Sequence, residues 1–206
     1  MSGFSLYYAD CIGAETNCSY PHEVVVRGID SLREAARHDY VCVSYRGGYR
    51  SKANFIRSNC LGMDCDNDHS ERPEDWITPE MIHESFPNVP FAVHFSRHHM
   101  KPKRGKVPRP KFHVLFLIEE VTDHAEYSNL KKRMNAVFPY FDTKALDAAR
   151  FFFGTASPDV DFFPGTITLD ECLDRYYPDS AADAFWDTGT PLGGVISEGS
   201  RNSTLS

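Results

Sequence analysis

Several absences narrow the chain before any motif is considered. Across 206 residues no apolar run approaches the ~20 residues needed to span a bilayer. The opening Met1-Ser2-Gly3-Phe4-Ser5 lacks the basic flank and apolar core of a signal peptide. The expectation is a cytoplasmic protein with no membrane partner. Six cysteines, at 11, 18, 42, 60, 65 and 172, are scattered and include no Cys-x-x-Cys pair. That spacing argues against a disulfide scaffold and for reduced thiols packed as small hydrophobes. Cys11, Cys18 and His22 could supply three ligands of a zinc knuckle, but the paired spacing of such sites is missing. No Gly-rich phosphate loop follows a first strand, which argues against a doubly wound parallel sheet. Net positive charge is lacking too: 22 Lys and Arg stand against 29 Asp and Glu, giving −7. A uniformly basic, sequence-blind nucleic-acid binder is thereby excluded.

The charge that is present is segregated. Arg97, Lys101, Lys103, Arg104, Lys106, Arg109 and Lys111 follow one another with no acidic residue between them, whereas Asp68 to Glu84 is acidic. The basic stretch is broken by Pro102, Gly105, Pro108 and Pro110, so it reads as a loop suited to a polyanion or as a solvated hairpin. A hydrophobic share of 41% is ordinary for one substantial packed domain.

Periodicity predicts strands at Phe4–Ala9, Val24–Val26, Tyr40–Ser44, Phe55–Cys60, Phe91–Phe95, Phe112–Ile118, Arg150–Gly154, Asp161–Phe163 and Thr166–Thr168. Helices are expected from a Ser31 cap with Glu34 closing a capping box, from a Thr78 cap up to Pro87, over Asp123–Phe138, and over Leu169–Tyr176. This order suggests an α+β fold with a mostly antiparallel sheet covered by helices. Tyr45-Arg46-Gly47-Gly48-Tyr49-Arg50-Ser51-Lys52 reads equally as a phosphate-approaching turn or a plain surface turn.

The stretch Leu61-Gly62-Met63-Asp64-Cys65-Asp66-Asn67-Asp68 reads as an apolar strand that ends on carboxylates. Alternation along a strand turns Asp64 and Asp66 the same way and sends Met63 and Cys65 into the packing beneath. Two carboxylates that close invite a positive partner, and oxygen-only donors suit a hard divalent ion such as Mg²⁺ or Mn²⁺. Elsewhere, His113 alternates out of an apolar strand just after the basic loop, and Phe141-Asp142 precedes Arg150.

In that order, the motifs resemble the archaeo-eukaryotic primase superfamily, the primase-polymerases of plasmids, phages and integrated elements. The resemblance covers roughly Tyr40 to Gly154. Met63-Asp64-Cys65-Asp66 matches its first motif, Lys111-Phe112-His113 its second, and Phe141-Asp142 its third, with Leu146-Asp147 as the alternative third. It implies an RRM-like palm joined to an N-terminal α/β unit, with the active site between them. It further implies that Asp64, Asp66 and Asp142 (or Asp147) hold two Mg²⁺ or Mn²⁺ ions for nucleotidyl transfer from a dNTP or NTP to a 3′-hydroxyl. The partners would be a single-stranded DNA template and its primer. His113 would contact the triphosphate, helped by Lys111, Arg97 and Arg150, with Ser96 a further nucleotide-site candidate.

Near the end, Ile196 to Thr204 resembles the opening of the helical domain that follows such cores. Residues 1–177 are therefore read as a primase-polymerase catalytic domain, and 178–206 as a linker with the start of a truncated C-terminal helical domain. That region, or a helicase, would be a further partner. Two rival functions compete. A replication-initiator nuclease needs His-x-His on one strand, whereas His98 and His99 are adjacent and diverge. A non-catalytic RRM-like nucleic-acid-binding module would not explain three aspartate motifs beside a histidine.

Overall fold

A computed structural model describes residues 3–102, 105 and 107–180. The elements run β1 (Phe4–Tyr8), β2 (His22–Val26), α1 (Ile29–Ala36), β3 (Tyr40–Val41), β4 (Ser44–Tyr45), β5 (Phe55–Cys65), α2 (Pro79–Ser85), β6 (Phe91–Phe95), β7 (Phe112–Val121), α3 (His124–Val137), β8 (Val160–Phe163) and α4 (Leu169–Tyr176). They build two antiparallel sheets, one of three strands in the order β2-β1-β3 and one of five in the order β4-β5-β7-β6-β8. The fold is α+β. None of the described helices is long and apolar enough to cross a membrane.

The five-stranded sheet is covered on both faces. Leu61, Met63 and Cys65 of β5, Val114 and Phe116 of β7, and Phe91 and Val93 of β6 face one core, shared with Ile82 of α2, Leu130 and Met134 of α3, and Leu169 and Leu173 of α4. Cys60, Ala92, Leu115 and Leu117 face the opposite core, under Phe4, Leu6, Val26 and the Leu32, Ala35 and Ala36 face of α1. Period-two alternation sends successive residues of each central strand into different cores. That explains why Asp64 is only 4% exposed although Met63 and Cys65 are also buried.

Several local expectations change. The first helix begins at Ile29, so Ser31 lies inside its first turn; the Ser31 hydroxyl donates to Gly28 O (3.0 Å) and accepts from Arg27 N (3.0 Å) instead of capping. Tyr40–Ser44 divides, because Tyr40–Val41 pairs with β1 while Ser44–Tyr45 pairs with β5, and a segment crossing between sheets cannot run as one strand. Arg150–Gly154 makes only an isolated bridge, Phe152 to Tyr40, and its Gly154 N–H donates to the Asp39 carboxylate instead of to a strand. Thr166–Thr168 is not a strand; Thr168 caps α4, accepting from Glu171 N (3.3 Å). The Thr78 cap stands where the pattern places it, while Asp123, expected within the helix, caps it instead. The linker and helical-domain reading of 178–206 lies outside the described residues from 181 onward, as do Lys103, Arg104 and Lys106 of the basic loop.

Candidate active site

On the face that meets the small sheet, register aligns three polar side chains: Asp64 on β5 is opposite His113 on β7, which is opposite His94 on β6. His113 Nδ1 bonds Asp64 Oδ1. Arg150 donates to Asp64 Oδ2 through Nε (2.9 Å) and Nη2 (2.5 Å). Burial alone would raise the Asp64 carboxyl, but His113 and Arg150 outweigh it and hold it at about 2. Asp64 is therefore a fixed negative charge with both oxygens engaged.

His94 continues the row inward. Its Nδ1 meets the Tyr40 hydroxyl (3.1 Å) and its Nε2 the Thr155 hydroxyl (3.2 Å). Burial, reinforced by His113, lowers it to about 3, so it stands neutral with one nitrogen donating and the other accepting. The Phe152 ring lies 4.8 Å from the His113 ring and 5.4 Å from the Tyr40 ring. Gly62 makes room for it, since a Cβ there would come within 2.7 Å of Phe152 and of Cys42 Sγ.

Beyond the end of β5 the chain turns sharply. Asn67 adopts φ 52°; its amide accepts from Ile77 N (2.7 Å) and donates to Ile77 O and Pro110 O (3.0 Å each). Arg109, 2% exposed, donates from Nη1 to Asn67 O (3.0 Å) and Ser70 O (3.3 Å). These two buried groups pin the acidic loop to the start of β7. Lys111 Nζ then lies 3.2 Å from Asp66 Oδ2 and 3.6 Å from Asp68 Oδ1. Asp142 N donates to Asp64 O (2.8 Å), and Asp142 Oδ1 accepts from Lys144 N (3.0 Å), opening the 3-10 turn Thr143–Ala145. Asp66, Asp68 and Asp142 border one cleft of about 350 Å³, with Tyr140 and Lys144. Asp147 does not line it; its carboxylate accepts from Ala149 N (2.7 Å). Buried Lys131 supports this turn from behind, donating to Ala145 O (2.7 Å).

Other anticipated residues lie apart from Asp64. Ser96 and Arg97 border a separate cleft beyond β6. In the Tyr45–Lys52 stretch, Arg50 is used internally, donating to Ala149 O (2.9 Å) and Asn17 O (3.2 Å) and lying over Phe151. Among the described residues no three His, Cys, Asp or Glu side chains stand close enough to hold a metal ion. Neither the zinc-knuckle alternative nor the Asp64, Asp66 and Asp142 set is gathered to that standard: His22 Nε2 pairs with Asp10 (2.6 Å), Cys18 Sγ with Thr16 O, and Asp64 with His113 and Arg150. For Mg²⁺ or Mn²⁺ the donor chemistry fits at Asp66 and Asp142, which share a cleft and offer only oxygen. Asp64, committed to His113 and Arg150, stands behind them.

Sequence reasoning missed His94, Asn67 and the interior role of Arg109. His94 had a signal, being a histidine set into an apolar strand as His113 is; Asn67 had none beyond its place after two aspartates.

No family model and no curated protein matches the chain. Among solved structures, it is similar to the AEP domain of a primase-polymerase (PrimPol) from cyanophage S-2L, at 13% identity and a TM-score of 0.45, covering 84% of this chain and 88% of that one.

Proposed function

We propose that the chain is a nucleotidyltransferase of primase-polymerase type, extending a 3′-hydroxyl on a single-stranded DNA template with dNTPs or NTPs. One observation carries the reading: Asp64 of the first motif is bonded to His113 of the second, 49 residues away, and to Arg150, 86 residues away, just past the third. A merely solvated Asp-x-Asp turn would not gather them.

When bound at Asp66 and Asp142, Mg²⁺ or Mn²⁺ supplies Lewis-acid chemistry at the α-phosphate and at the 3′-hydroxyl. The chain's own groups do the positioning. Asp64 keeps a constant negative charge at the strand end, with Asp142 tied to its carbonyl. His113 donates Nδ1–H to the Asp64 carboxylate, and its Nε2 would donate to a phosphate oxygen only in the imidazolium form, in which both ring nitrogens carry a proton. Arg150, with 36% of its side chain exposed, holds Asp64 from the solvent side and would screen charge on a departing pyrophosphate. Lys111, across from Asp66, does the same on the loop side. In this reading the five-stranded sheet is the RRM-like palm, and the small sheet with α1 is the N-terminal unit.

The test is primer extension on a single-stranded DNA template with Mg²⁺ or Mn²⁺, comparing dNTPs with NTPs, beside the Asp64→Ala/Asp66→Ala double variant. Extension by the parent chain that disappears in the variant supports the reading. Equal template binding by both with extension by neither overturns it in favour of a binding module.

A further inference from the structure

Between Asp142, on the carboxylate cleft, and Arg150, on Asp64, the chain forms one 3-10 turn, Thr143–Ala145, and neither strand nor α-helix. Its carbonyls are collected by side chains from elsewhere. The Tyr45 hydroxyl donates to Ala148 O (2.7 Å) and Arg50 Nη1 to Ala149 O (2.9 Å). Lys131 Nζ donates to Ala145 O (2.7 Å) and, at longer range, to Asp147 O (3.5 Å). Of these donors Lys131 reaches the part of the segment next to Asp142. The Asp142 carbonyl accepts from Ala145 N (3.0 Å) and its Oδ1 from Lys144 N (3.0 Å), so the turn is closed on Asp142 itself. Whatever fixes the Ala145 carbonyl also fixes the aspartate that opens the turn.

Lysine is a costly residue for that place. Lys131 lies on α3 in line with Tyr127, Leu130 and Met134, the helical spacing that turns one face into the main core, and it is 1% exposed. Burial pulls its ammonium down to about 8, against the opposing pull of Cys42, Asp64 and Asp147. Its partners are main-chain carbonyls, not a carboxylate, and these do not restore what a full charge loses on leaving water. A leucine or methionine would fill the same face without that cost. What the lysine adds is reach, since its four-carbon stem carries donors from α3 to the turn that Asp142 opens.

We propose that Lys131 is a positioning residue for divalent-metal binding: by holding the Ala145 and Asp147 carbonyls it keeps the Asp142 carboxylate on the cleft that Asp66 borders. The inference rests on the metal reading of that cleft, and through it on the polymerase reading. Lys131 lowers stability and secures a ligand, so its replacement should move stability and metal affinity in opposite directions. A merely structural lysine would move them together.

The test is Mn²⁺ binding, read from the paramagnetic resonance signal of the free ion, beside urea unfolding without metal. It compares the parent chain with Lys131→Met, Lys131→Gln and Asp66→Ala/Asp142→Ala. Parent binding that the double aspartate variant loses identifies the site. Lys131→Met, near in volume and without a donor, is expected to bind Mn²⁺ about tenfold more weakly or worse, the usual loss when a ligand's outer support is removed. Its urea midpoint should equal or exceed the parent's. Parent-like affinity in Lys131→Met, or affinity lost in step with a lowered midpoint, overturns the inference. Should Lys131→Met not fold, Lys131→Gln is judged by the same two criteria; failure of both to fold assigns the lysine to stability and overturns the inference as well. Binding that depends on Asp66 and Asp142 but not on Lys131 sinks this inference alone. Lys131-dependent Mn²⁺ binding by a chain that extends no primer sinks the polymerase reading alone. No Mn²⁺ binding by the parent removes the metal site on which both depend.

Discussion

The two faces of the five-stranded sheet share strands and differ in almost everything else. One presents Leu61, Met63, Val114, Phe116, Phe91 and Val93 to α2–α4. The other presents Gly62, Asp64, His113 and His94 at one end, beside the smaller apolar core of Cys60, Ala92, Leu115 and Leu117, to the small sheet and Phe152. The same ten or so residues of β5 and β7 thereby provide an apolar foundation and a polar row, one residue out of phase. Stability and chemistry are separable by substitution at adjacent positions.

That separation predicts its own tests. Phe116→Ala, on the apolar face, should cost about 3–5 kcal/mol in urea unfolding, because a buried ring leaves a cavity, while the folded fraction retains extension activity. Asp64→Asn, on the polar face, should lower extension at least a hundredfold, about 2.7 kcal/mol of barrier, under conditions where the protein stays folded. Equal activity in Asp64→Asn would break the comparison. Gly62→Ala should cost about 1–3 kcal/mol and lower activity together with stability, since the new methyl displaces Phe152 from beside His113.

The fourth test is pH. His94 titrates near 3 when folded against an ordinary 6.5, so between those values the unfolded chain holds a proton that the folded chain does not. Stability is fully present above pH 6.5 and falls as pH drops toward 3, with a slope of at most about 1.4 kcal/mol per pH unit from this group. Asp64 adds a loss in the same direction, between its ordinary 3.8 and about 2. Urea midpoints measured from pH 7 to 4 should flatten in His94→Gln; an unchanged slope would remove His94 from the account.

Much of this was legible where a local rule governs. Phe91–Phe95 and Leu169–Tyr176 have the bounds their periodicity gives, and the Thr78 cap stands where a hydroxyl precedes Pro79 and Glu80. The strands that carry Asp64 and His113 were legible as well. What escaped was set by contacts between distant segments. Nothing near Asp39 announces that its carboxylate will gather Gly13, Ala14 and Gly154. Arg97 and Arg150 are equally plausible phosphate ligands in sequence, yet tertiary packing sends one to Phe153 and the other to Asp64. Tyr40–Ser44 carries a good strand pattern and is divided because two sheets compete for it.

The bond from Asp142 N to Asp64 O has a consequence for how the acidic site tolerates change. It is made by main chain on both sides, so this one contact between the strand and the Asp142 loop does not itself depend on which side chain either position carries, nor on its ionisation. A carboxamide at position 64 or 142 should alter charge while leaving this contact intact. That contact can therefore be kept while charge is removed one group at a time, and what Asp64→Asn loses in stability is the cost of leaving Arg150 and His113 without their carboxylate.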